Sequence, residues 1–392
     1  MKYIVIVCDG LSERSPGCPT DETPLSDAHT PTLDHLVQKS EIGIIKLSGS
    51  VHQPSNIKAN MAVLGYWSED RYGDFTCFEA LAGSISIEED DVIFKCRPII
   101  LSDSEDFEER IMIRYEDELL NEQVLAKLTD LLNEELGNKN FSFRCSKNAG
   151  MFLVWKKGEP DPGILCPPDE VYDHAIKDYL PKGDFTPVLT DIMKRSVDIL
   201  TEHPIQLSDG RAINAVWFWG ADVKPDIQSF SERYGKDALI ISPDIVMQGF
   251  GKAMGMNVVP HIADVETISS YIYGHENVIY IHVTEPYELA FDTELRKKSI
   301  EKTDREIIEP VVGLMERKGG DYTLAVISSV SLSRENSECT AQAVPYMIYR
   351  SDSKTESNAD FFSEKTAFES GIYLPYKYDL MKRILNKEIP SL

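Results

Sequence analysis

Long apolar runs are missing from this chain of 392 residues, so neither a membrane-spanning helix nor a signal peptide is expected. The start, MKYIVIVCDG, enters a strand directly, and the expected location is the cytoplasm. Cysteine is sparse: Cys8, Cys18, Cys77, Cys96, Cys145, Cys166 and Cys339 form an odd set with no CxxC pair. That pattern argues for reduced thiols over disulfides or a structural zinc site. Positive charge is also short. Lys and Arg number 40 against 65 Asp and Glu, a net charge of -25. A field of that sign repels nucleic acid and anionic membrane surfaces, so neither is an expected partner, and a phosphate ligand would need a local basic pocket. There is no GxxxxGK[ST], no GxGxxG and no HExxH, so a P-loop, a dinucleotide fingerprint and zincin chemistry have no support. The eight histidines are scattered, with no pair at ligand spacing.

What is present is a folded, soluble α/β pattern: the hydrophobic share of 42% against 27% charged excludes a disordered chain. Buried strands are predicted at Tyr3 to Val7, Ile42 to Leu47, Ala238 to Ser242, Val278 to Val283, Leu324 to Ile327 and Pro345 to Tyr349. Helical patterns at Ile245 to Met254 and Glu294 to Arg317 alternate with the later strands, which predicts a mostly parallel sheet flanked by helices. The region 102–204 reads as an inserted α+β domain, with a helical stretch from Glu116 to Leu136 followed by FSFRCSKNAGMFLVW. The core is then discontinuous, 1–101 and 205–392. A polar loop is expected over Arg350 to Asp360.

In an open parallel sheet, ligands gather at the carboxyl ends of strands, and Asp9 in VCDG stands at such an end. It is either a metal ligand or a residue that turns the chain before Gly10. The run SNIKANMAVLGY, Ser55 to Tyr66, reads as an N-cap and an amphipathic helix start. His282, alone at a strand end, fits a satisfied core residue better than a ligand.

Nine segments in order give the whole chain a resemblance to the archaeal-type cofactor-independent phosphoglycerate mutases, a branch of the alkaline phosphatase superfamily. They include VCDGL, TPLSDAHTPTLDHL, AVLGYWSEDRYG, FEALAGSI, HPIQLSDGRAINAVWFWG, HVTEPYE and IEKTDREIIEPVVG. The resemblance implies an alkaline-phosphatase-like core, two divalent ions (Mn, Mg or Zn) at the strand ends, and a metal-activated serine that carries the phosphoryl group. Followed residue by residue, it finds most of those groups replaced. Asp9 matches the family's first carboxylate ligand. The nucleophile position falls on Asn56, or on Ser55 after a one-residue shift, with Ile57 and Asn60 at the aspartate and histidine beside it. The aspartate and histidine of DEAGH fall on Tyr287 and Phe291, with Glu288 retained between them. The later DH pair falls on Ser329 and Val330, the next histidine on Cys339, and the aspartate of DPVP on Gln342. In the substrate pocket, YRH falls on Ala149, Gly150 and Met151, the histidine of PPHD on Asp169, and a phosphate-facing arginine on Asp74.

The resemblance therefore implies a mutase-like protein that has lost its serine nucleophile and two-metal site, holds no metal cofactor and works by binding, an active relative or another protein being its partner. The alternative is an active phosphoglycerate mutase or related phosphotransferase, acting on a small phosphorylated metabolite through a rebuilt site of Cys339, Glu288 and Asp9. Tyr287 and Phe291 are expected to fill the vacated metal cavity with apolar surface.

Overall fold

The computed structural model describes residues 1–14, 22–49, 54–67, 74–159, 163–184, 186–262, 264–353, 356–357 and 359–386. Cys18 and the last six residues of AVLGYWSEDRYG lie outside them. Two compact units emerge, one formed by 1–69 and 228–392 and the other by 70–227.

The first unit is built on an eight-stranded sheet. In chain order its strands are β1 (Lys2–Cys8), β2 (Ser40–Ile45), β3 (Ala238–Ile241), β4 (Asn257–Val259), β5 (Val278–Val283), β6 (Tyr322–Ser328), β7 (Val344–Arg350) and β8 (Tyr373–Leu374). Their spatial order is β4-β3-β5-β1-β6-β7-β2-β8. The run from β4 to β6 is parallel, and β7 is antiparallel to both β6 and β2. Apolar residues continue along β1, β5 and β6 because these central strands are covered on both faces, and every residue of the three is buried. The register sets Cys8 opposite both Val283 and Ser328, so the carboxyl ends of β5, β1 and β6 are level. Asp9 N–H then bonds Val283 O at 2.9 Å, and Ser329 N–H bonds Cys8 O at 3.3 Å.

The helix expected over Glu294 to Arg317 is interrupted. It runs Thr293–Thr303, passes through a π-helical turn at Asp304–Ile308 and resumes as Glu309–Lys318. Pro310 has no N–H to donate and its ring clashes with the carbonyl four residues back, so the ladder must change register before it. Asp304 in that turn accepts from Thr32 N at 3.1 Å and Leu33 N at 2.9 Å, capping helix Pro31–Val37.

The second unit carries a five-stranded sheet. Strand Val92–Leu101 pairs antiparallel with Ala215–Val223 on one side and Gly150–Trp155 on the other, and Phe141–Ser146 completes a hairpin with the latter. This corrects the expected borders of the inserted domain at 102 and 204. Val92–Leu101 and Ala215–Val223 look like core strands in composition, but their hydrogen-bond partners are each other. The helix expected from Glu116 begins later, at Glu122, where Asn121 Oδ1 caps the N–H groups of Gln123 and Val124. Among the described residues no helix is long and apolar enough to cross a membrane.

Candidate functional site: a saturated aspartate at the strand ends

Asp9 leaves the end of β1 fully buried. Gly10 follows with φ +68°, and a Cβ there would lie 3.0 Å from both Tyr287 Cα and Leu332 Cδ1, so the chain turns over the carboxylate only because this residue is glycine. Helix Asn56–Val63 brings two side chains onto Asp9 from one face, since positions four apart lie one above the other. Asn56 Nδ2 donates to Oδ2 and Asn60 Nδ2 to Oδ1, both at 2.8 Å. From β5, His282 Nε2 lies 2.8 Å from Oδ2, and beyond β6 the Ser329 hydroxyl donates to Oδ1 at 2.5 Å. An ionised carboxylate offers about four lone-pair positions, and here four donors occupy them.

A second layer fixes these donors. Tyr280, two residues before His282 and on the same face of β5, donates to Asn60 Oδ1 at 2.6 Å, which orients the amide so that its nitrogen meets Asp9. The other ring nitrogen of His282 lies 2.8 Å from Ser242 Oγ, which also accepts from Asp244 N–H at 3.1 Å. Burial pulls the Asp9 carboxyl upward, but the His282 charge and the hydrogen bonds from His282, Ser329 and Asn60 outweigh it and hold it below the usual range. Burial likewise pushes His282 down, and the Asp9 charge more than offsets this, leaving the imidazole above its usual value. Both shifts favour the charged forms of this buried pair, and each ring nitrogen and each carboxylate oxygen has a hydrogen-bond partner.

The other positions singled out in sequence fall around this network. Ser55 caps the helix, accepting from Lys58 N at 3.4 Å, and Ile57 and Val330 are buried apolar side chains. Tyr287 pairs with the Cys339 thiol, and burial pushes the phenol up to about 12. Burial also raises the Cys339 thiol, which receives the Asn56 N–H. Glu288 Oε1 accepts from Thr284 Oγ1 at 2.6 Å. Phe291 corrects the expectation that it fills the vacated cavity, for it is 89% exposed. It falls in the turn between helix Glu285–Glu288 and helix Thr293–Thr303, where Asp292 must act as N-cap, and the turn carries its ring outward.

Known proteins resemble this chain in sequence and fold. Residues 38–206 match the family model of 2,3-bisphosphoglycerate-independent phosphoglycerate mutase. The chain is 24% identical over 401 residues to the 2,3-bisphosphoglycerate-independent phosphoglycerate mutase of Methanosarcina barkeri, covering 97% of this chain and 98% of that protein. It is 25% identical over 402 residues to that of Methanothrix thermoacetophila, covering 98% and 100%. Among solved structures, a protein of Pyrococcus horikoshii superposes with TM-score 0.74 at 17% identity, over 100% of this chain and 98% of that one. The cofactor-independent phosphoglycerate mutase of Thermoplasma acidophilum gives 0.65 at 18%, over 98% and 99%. The chain is phosphoglycerate-mutase-like.

The two divalent ions implied by the resemblance do not fit the residues present. Zinc, manganese and magnesium need about four to six lone-pair donors each. Around Asp9 the amide nitrogens, the imidazole N–H and the serine proton all point at the carboxylate, so its oxygens are spoken for and its neighbours present hydrogens, not lone pairs. Among the described residues no group of three or more His, Cys, Asp or Glu is placed to hold a metal.

In this phosphoglycerate-mutase-like chain, the sequence reading missed Tyr280, Ser242 and Asp244. Tyr280 and His282 alternate inside the apolar run VIYIHV, a signal that two polar groups share one face of a buried strand. The expected substrate positions belong to the second unit. Gly150 opens its strand with φ +82°, Met151 is buried, and Asp169 lies 3.7 Å from Arg114, both exposed. Asp74 is exposed, and its charge adds to the burial that raises Asp222.

Proposed function

We infer that this protein keeps the phosphoglycerate-mutase-like fold but replaces the two-metal phosphoryl-transfer centre with a closed hydrogen-bond network, and that it acts in the cytoplasm by binding, not by turnover. The observation that carries this reading is the saturation of Asp9 by Asn56, Asn60, His282 and Ser329. A metal would have to displace four donors and leave His282 buried without its counter-charge, which runs against the electrostatics of the site. A nucleophile is missing as well. Asn56 presents an amide where a hydroxyl is needed, and loss of a catalytic nucleophile alone costs on the order of a million-fold, about 8 kcal/mol. Ser55, the fallback, uses its oxygen as a helix cap, accepting from Lys58 N.

The rebuilt-site alternative needs an activated Cys339. Burial raises that thiol instead, and a raised thiol carries little thiolate at neutral pH. The test is metal content per chain by elemental mass spectrometry after incubation with manganese and zinc and desalting. It is paired with mutase and phosphatase assays of the wild type and of Ser55→Ala. Essentially no bound metal and no turnover are expected. About two ions per chain, with turnover abolished by Ser55→Ala, would overturn the reading.

A further inference from the structure

We propose that the turn carrying Phe291 is a docking knob for a protein partner whose complementary surface is an apolar pocket rimmed by lysine and arginine. This rests on the non-catalytic reading, since it assigns a binding role to the segment where the family resemblance expects metal ligands.

Phe291 is 89% exposed, and Leu295, in the first turn of the helix that follows, is 45% exposed. At 89% Phe291 is the most exposed of the large apolar side chains among the described residues, and aromatic anchors dominate protein interfaces. The turn is held on both sides. Asp292 Oδ1 accepts from Leu295 N at 2.9 Å, and Ser337 Oγ donates to Ala290 O at 2.9 Å, which docks the 333–338 hairpin against it. The knob is therefore pre-organised, and little ordering cost remains on binding.

Its charge selects the partner. Glu288, Asp292 and Glu294 flank Phe291 in sequence, and the docked hairpin adds Glu335 and Glu338, all exposed. Four basic residues are nearby against these five acids. Arg296 is buried on Glu13 at 2.8 Å and Arg334 is turned onto Glu13 Oε1 at 3.1 Å, while Lys297 is partly exposed and Lys298 exposed. With the chain as a whole at -25, a second copy of this protein is repelled and a basic surface is attracted.

The experiment places the photoreactive residue p-benzoylphenylalanine at position 291 in cells that make the protein, with the same residue at exposed Tyr273 as control. The adduct is identified, and the purified pair is then titrated with wild type and Phe291→Ala at about 50 and 300 mM salt. The expected result is an adduct specific to position 291, on a Lys/Arg-rich patch of another polypeptide. Affinity should fall on the order of thirtyfold in Phe291→Ala and further with salt. No specific adduct, an adduct to a second copy, or a pair indifferent to Phe291→Ala or to salt would overturn the proposal. None of these readouts involves metal or turnover, so its failure is distinct from failure of the non-catalytic reading.

Discussion

Replacing Asp9 by asparagine separates a metal centre from the network described above. In an empty metal site, carboxylates crowd together and removing one relieves repulsion, so such a change is neutral or stabilising. In this protein Asp9 is the acceptor for Asn56, Asn60, Ser329 and His282. An asparagine keeps one oxygen but turns an N–H₂ towards two of those donors, and it strips the buried His282 of its counter-charge. Breaking one side of a buried charged pair costs about 3–5 kcal/mol. For a unit of this size each kcal/mol lowers Tm by about 2–4 °C, so a fall of roughly 6–20 °C is expected by calorimetry or thermal circular dichroism. Adding His282→Gln to Asp9→Asn should cost less than the sum of the two singles, since the second change removes the orphaned cation. The pH dependence has a defined sign. His282 is raised, so its contribution is present below about pH 6.5 and is lost as pH rises through its folded value. Asp9 is lowered, so its contribution is present above about pH 4 and is lost as pH falls through its folded value. Asp9→Asn should flatten the alkaline limb. An unchanged or higher Tm in Asp9→Asn would refute the reasoning.

Other perturbations test separate parts of the same argument. Tyr280→Phe removes the donor to Asn60 Oδ1 inside the core and should cost about 1–2 kcal/mol in urea unfolding without changing the fold. Arg296 is buried, donating to Glu13 at 2.8 Å and to the Gly10 and Ser12 carbonyls at 2.8 and 2.9 Å, so Arg296→Ala should destabilise by about 3–5 kcal/mol. Gly65→Ala puts a Cβ at φ +84° and 1.9 Å from the hydroxyl of buried Tyr234, and a loss of about 2–4 kcal/mol is expected from the same assay. Cys339 should react with a thiol reagent at pH 7 more slowly than free cysteine, as burial raises its thiol; a faster rate would revive the rebuilt-site alternative.

The strands of the first sheet were legible because burial on both faces writes an unbroken apolar run. Val278–Val283 was found at its observed bounds, and Tyr3 to Val7 and Ala238 to Ser242 lie within a residue of theirs. Domain borders were not legible, because Val92–Leu101 and Ala215–Val223 carry the same apolar signature while pairing in the other unit. Composition records that a strand is buried, not which strand it bonds. The π-turn at Asp304–Ile308 was hidden for a related reason. Apolar periodicity runs through it, and only Pro310 marks the place where the hydrogen-bond ladder fails.

At the site, the resemblance implied which ligand positions differ, but not how the residues standing there interact. Asn56, Asn60 and Ser329 each look like losses when compared singly with a serine, a histidine or an aspartate. Their meaning comes from convergence: two amides from one helix face, a hydroxyl beyond β6 and an imidazole from β5 meet one carboxylate. Tyr280 explains why the set is stable, since it fixes the Asn60 amide, and a phenol bonded to that amide has no role in a site that must open for metal. Phe291 makes the complementary case. Expected to fill the cavity, it stands in solvent instead, while polar groups surround Asp9. The interior of the site is thus a self-satisfied polar core while its rim carries an exposed aromatic ring, and the proposed binding role for the rim accords with both.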